Sequence, residues 1–100
     1  MTTSPPRLEA YKQTPVFDET SIPAGLLRHH TTKAGVWARI HVVEGELVLR
    51  ILEPPSREIR LTPQRGGEIA PQVPHEIEAR GPVRFYVEFL RAVEAEPARS

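Results

Sequence analysis

The chain is 100 residues long, 39% hydrophobic and 26% charged, which gives room for one domain with a modest core and not for two. Its 13 basic and 13 acidic residues cancel and alternate along the chain, so no overall field draws nucleic acid or an anionic membrane. The absence of cysteine removes disulfides, thiolate metal sites and cysteine nucleophiles together.

The N-terminal segment "MTTSPPRLEAYKQ" lacks the apolar stretch of a signal peptide, and no apolar run approaches the ~20 residues of a membrane span. A cytoplasmic protein is therefore expected. Residues 1–14 are polar, carry Pro5 and Pro6, and read as a loosely held arm with scope for a short edge strand. The domain proper is expected over 15–91. It holds a dense series of short β-branched or aromatic runs: "VWARIHVV" (36–43), "ELVLRIL" (46–52), "REIRLT" (57–62), "GEIA" (67–70), "HEIEA" (75–79) and "VRFYVEFL" (83–90). Glu44-Gly45, Pro54-Pro55, Gly66-Gly67 and Gly81-Pro82 separate them as turn signals. Strands this short and this closely spaced predict an all-β sandwich or barrel. Residues 92–100 are charged, contain a proline and read as a tail.

Alternation assigns faces. Val83, Phe85, Val87 and Phe89 share one side, with Arg84, Tyr86 and Glu88 on the other. His75, Ile77 and Ala79 share a side opposite Glu76 and Glu78, and Ala38, Ile40 and Val42 share a side opposite Trp37, Arg39, His41 and Val43. A Trp and a Val on that last face suggest a surface covered by the arm or by a second subunit.

Without cysteine, chemistry falls to the histidines: His29, His30, His41 and His75. No nucleophile elbow, phosphate-cradling glycine loop or H-E-x-x-H motif is present. Adjacent His29 and His30 point to opposite faces of an extended chain, so the pair is not itself a chelate. His41 lies on the Trp37–Arg39 face, where a surface or interface role is expected. The bases are mostly arginine, and only Lys12 and Lys33 are lysines.

Two blocks carry a family resemblance. "LLRHHTTKAGVWARIHVVEGELVLRI" contains His30, Thr32, Lys33, Gly35 and Trp37 in an H-x-T-K-x-G-x-W pattern running into the V-E-G-x-L of Val43, Glu44, Gly45 and Leu47. "IAPQVPHEIEARGPVRFYVEFLR" contains Pro71, Gln72, Pro74, His75, Ile77 and Glu78, then Val87, Glu88 and Phe89. Over residues 15–91 the chain resembles the small cupin-like family of the tellurite-resistance TehB N-terminal domain and the YeaR proteins.

The resemblance implies a cupin-type double-stranded β-helix, a jelly-roll barrel around a pocket that often holds a divalent metal. It selects His30 over His29 and matches His75 to the second cupin motif. Ala38 stands seven positions before Gly45, where the first motif has its glutamate, so the standard site is incomplete. A first-row divalent ion (Zn, Fe, Ni or Mn) needs at least three protein ligands, and His30 and His75 supply two. The third would come from Glu88, Gln72, Glu78 or water, with Glu78 disfavoured by its face. The expected metal set is His30, His75 and Glu88, with Gln72, Lys33 and Trp37 as ligand-binding residues.

The function expected is a small metal-binding cupin, homodimeric, which takes a small polar molecule or oxyanion in the tellurite or nitrosative stress setting of the family. Two other readings stand beside it. One is a cupin metalloenzyme of dioxygenase or isomerase type, and the other a metal-free ligand-binding or interaction module.

Overall fold

A computed structural model describes residues 7–27 and 31–93. Among these the protein is all-β: β1 (Arg7–Gln13), β2 (Phe17–Asp18), β3 (Val36–Ile51), β4 (Arg57–Leu61), β5 (Gly67–Ile69) and β6 (His75–Val93), with one 3-10 turn at Ala24–Leu27. All pairings are antiparallel, and the main path through the sheet is β1-β6-β3-β4, with β2 also on β6 and β5 also on β3. Among the described residues the path has two ends, at β1 and β4, so the sheet is not closed into a barrel.

Four of the runs read as separate strands are two long ones. Residues 36–43 and 46–51 belong to β3, with Leu52 just past its end, and 75–79 and 83–90 belong to β6. Glu44-Gly45 and Gly81-Pro82 are corners within strands, not turns between them. β3 and β6 pair along their whole shared length, from Val36↔Arg91 to Ile51↔His75, with register shifts between Val42 and Glu44 and between Gly45 and Leu47. Gly45 pairs with Val83 at the shift, and both Gly45 (φ 86°) and Gly81 (φ 81°) adopt the left-handed backbone that a bend requires. The two strands bend together because each is the other's hydrogen-bonding partner. Glu19 reinforces the corner: its Oε1 accepts the Val83 N–H at 3.0 Å.

The bend creates two limbs. One combines the first half of β3 and the last half of β6 with β1, β2 and β5, and the other combines the remaining halves with β4. Their apolar faces meet in one core, where Ala38, Ile40, Phe85 and Val87 of the first limb pack with Leu47, Leu49, Leu61 and Ile77 of the second. The limbs approach closely at Gly67, where a Cβ would stand 3.0 Å from Leu61 Cδ1 and 3.1 Å from Leu49 Cδ2. Burying Phe85, which is fully enclosed, contributes about 1.5–3 kcal/mol.

β1 falls in the segment read as the arm and forms the outer edge beside β6, which itself runs on to Val93. No helix among the described residues is long and apolar enough to cross a membrane.

Candidate functional site

The interior is not filled everywhere. A cavity of about 250 Å³ opens between the limbs, walled by Ala38, Ile40, Val87 and Phe89 of one and by His75 and Ile77 of the other. Phe17, Pro23 and Leu26 close it from the chain that precedes β3, and Thr14 and Thr32 also line it. Nearly all of this wall is carbon. Alternation explains the arrangement: Ala38 and Ile40, Ile77, and Val87 and Phe89 are the inward sets of their strands.

The polar side chains of the wall are tied into the backbone. Thr14 Oγ1 accepts the Val87 N–H at 3.0 Å and donates to the Pro15 carbonyl at 2.9 Å. Thr32, buried, accepts the Gln72 N–H at 3.1 Å. His75 is 3% exposed, and its Nδ1 donates to the Val73 carbonyl at 2.8 Å. Since a carbonyl only accepts, this bond places a proton on Nδ1 and fixes the ring's orientation in the wall.

The residues expected to form a site are distributed as follows. His29 and His30 lie outside the described residues. His75 lines the cavity. Glu88 is on the opposite face of β6 from Val87 and Phe89, where its Oε1 accepts a hydrogen bond from His41 Nε2 at 2.6 Å. His41 also stacks on Tyr86, with ring centroids 4.8 Å apart. Trp37 is half-buried on that same outer face, paired in register with Leu90. Gln72 is exposed at φ 61°, and its contribution near the cavity is its backbone N–H. Lys33 is exposed and lines a separate groove beside the cavity. Glu78 lies on the outer face of the second limb, bonded to Arg50.

The structure thus places His75 and Glu88 on opposite sides of the sheet and does not bring them together. Among the described residues no group of three or more His, Asp or Glu side chains is placed to hold a metal ion. Among the described residues the cavity wall offers one imidazole and two hydroxyls, fewer good donors than the three protein ligands of a secure first-row divalent site.

The cavity walls before β3 were not assigned from sequence. Phe17, Ile22 and Leu26 pack on the core, and Phe17 meets Phe85 at 5.7 Å between ring centroids with a 56° tilt. The available signal was their apolar character in a stretch, "VFDETSIPAGLL", otherwise rich in turn formers. Asp18 organises that turn: its Oδ1 accepts from Thr20 N–H (2.8 Å), Thr20 Oγ1 (2.7 Å) and Ser21 Oγ (3.1 Å), and these bonds hold its carboxyl below the usual value.

Comparison with known proteins places this architecture. No curated protein matches the chain. Among solved structures, TehB from Haemophilus influenzae superposes with a TM-score of 0.78 at 28% identity, over 85% of this chain and 32% of that one. The chain therefore spans about a third of that protein's length. A protein from Escherichia coli strain K12, solved as a structural-genomics target, superposes with a TM-score of 0.79 at 23% identity, over 94% of this chain and 100% of the other. The TehB-like domain family matches residues 12–87, from the end of β1 through the inward-facing Val87 of β6, and the chain belongs to that family.

Proposed function

We propose that this domain is a binding module for a small, predominantly apolar molecule, which it takes into the cavity between its two limbs. The observation that carries the reading is the apolar cavity itself. Protein interiors close-pack, and a void lined by Ala38, Ile40, Ile77 and Val87 forgoes dispersion contacts that a filled core would gain. Water has little to bond with on such a wall, so an apolar guest is the favoured occupant. At about 250 Å³ the cavity falls just below the ~300–1,000 Å³ of pockets that take drug-sized ligands, which points to a single ring or a short branched chain.

The two facing limbs support reading the fold as an open variant of the cupin-type jelly roll, with the ligand between its layers. The carbon-rich wall supports the ligand-binding module among the readings drawn from the sequence. The small polar molecule or oxyanion expected from sequence gives way to an apolar guest, because the wall is mostly carbon.

The test is a titration with toluene followed by two-dimensional NMR. Saturable shifts are expected at the methyl groups of Ala38, Ile40, Ile77 and Val87. The Ala38→Phe variant, which fills the cavity, is expected to abolish them, and Glu88→Ala, across the sheet, to leave them unchanged. Binding is also expected to survive dialysis against a chelator. Absence of saturable shifts in the parent would overturn the proposal, and loss after chelation would return a metal to the site.

A further inference from the structure

The chain's two lysines, Lys12 and Lys33, belong to different segments yet line one surface groove of about 270 Å³ together with Tyr11. Thr32 and Phe89 line both this groove and the apolar cavity, so the two adjoin. β1 shifts register between Ala10 and Lys12, and past that irregularity Lys12 stands opposite Phe89 on β6. Bulges of this kind commonly re-aim side chains beside binding sites.

Among the described residues no carboxylate lies within 4 Å of Lys12 or Lys33, nor of Arg7, Arg57, Arg65 or Arg91, whereas Arg39, Arg50, Arg60, Arg80 and Arg84 each have one. Arg91 adds a third cation at the same end, its guanidinium 5.2 Å from the centre of the Tyr11 ring. A carbon-lined cavity that adjoins a cationic groove is complementary to an amphiphile with an apolar body and an anionic end.

Resting on the pocket reading above, we propose that the ligand class is small apolar carboxylic acids bound as carboxylates. The hydrocarbon body occupies the cavity, and the carboxylate sits over Phe89 between Lys12 and Lys33. Lysine suits this role: its compact ammonium on a flexible stem meets an exposed carboxylate without demanding bidentate geometry.

The experiment compares four probes of similar shape: phenylacetate, phenylacetamide, 2-phenylethylamine and toluene. Phenylacetate is expected to bind about three- to tenfold more tightly than the amide at low ionic strength, as two exposed ion pairs allow. The amine is expected to bind more weakly than the amide, and the carboxylate's advantage to fade at about 1 M salt. In the Lys12→Gln, Lys33→Gln double variant, phenylacetate is expected to fall to the affinity of the amide, with toluene followed on the same sample to report the cavity. If toluene binds the parent but phenylacetate shows no advantage, or keeps it in the double variant, the carboxylate proposal fails and the pocket stands. If toluene does not bind the parent, both fall.

Discussion

A Cβ placed on Gly45 would lie 2.2 Å from the Pro82 carbonyl oxygen and 2.8 Å from Val83 Cα, at a backbone φ of 86°. Both obstacles are main chain of the partner strand, so no side chain can swing aside. Gly45→Ala is expected to cost about 2–4 kcal/mol, combining left-handed strain with displacement of the paired corner. Gly35→Ala, where φ is 77° but nothing lies within 4 Å of the added carbon, should cost about 1–2 kcal/mol from strain alone. Urea denaturation of the two variants measures the difference, and equal costs would show that the Pro82 contact is not what holds the corner. Gly45 was legible in the sequence as a breaker, but a turn and a strand corner use the same residue. What separates them is whether the partner strand bends at the same level, and that is a fact about Gly81 and Pro82.

The outer face of the second limb shows how pairing at the scale of strands sets an acid limit on stability. Arg50 on β3 donates to Glu58 on β4 (2.7 Å) and to Glu76 (3.1 Å) and Glu78 on β6, so one guanidinium links three strands. The hydrogen bond from Arg50, then the charges of Arg80 and Arg50, hold the Glu78 carboxyl below its ordinary value of 4.5, while the carboxylates in turn raise the Arg50 pKa and keep it charged. A lowered folded-state pKa means that the unfolded chain takes up its proton first as the pH falls. The stabilisation is therefore complete above about pH 4.5 and is lost progressively below it. Asp18 contributes with the same sign through its bonds to Thr20 and Ser21. Urea midpoints measured from neutral pH down to about pH 3 should fall in the parent. They should fall less steeply in Arg50→Met, which keeps the Asp18 contribution and the share of Glu78 that Arg80 supplies but loses the larger share from Arg50. Identical slopes would show that the Arg50 network carries no pH dependence. The strands that carry this network were readable from alternation, since Glu76 and Glu78 were assigned to the face opposite His75. The partner choice was not, because several arginines alternate with acids along the chain and register alone decides which meet.

At the scale of the whole molecule, the cavity exists only when both limbs are in place, since Ala38, Ile40 and Val87 lie on one and His75 and Ile77 on the other. The inward face of each strand was legible, and so was His75 as a residue on that face. The cavity was not legible, because a void depends on how far apart two faces stand, and alternation specifies only which residues face inward. The misplacement of Glu88 has the same origin: alternation separated it from Phe89 but left open which side was enclosed. A site shared between limbs has no counterpart in the unfolded chain, so a ligand bound there stabilises folding by mass action without compensation from the unfolded state. At a free concentration ten times the dissociation constant this amounts to about 1.4 kcal/mol, or a rise of about 6–11 °C in Tm for a domain of this size. The Ala38→Phe variant should fold and show no such rise, because its added ring occupies the space where the two limbs would otherwise grip the guest. Thermal unfolding with increasing toluene, read in parallel on parent and variant, decides the matter. A rise of equal size in both would mean that the ligand stabilises the protein from somewhere other than between its limbs.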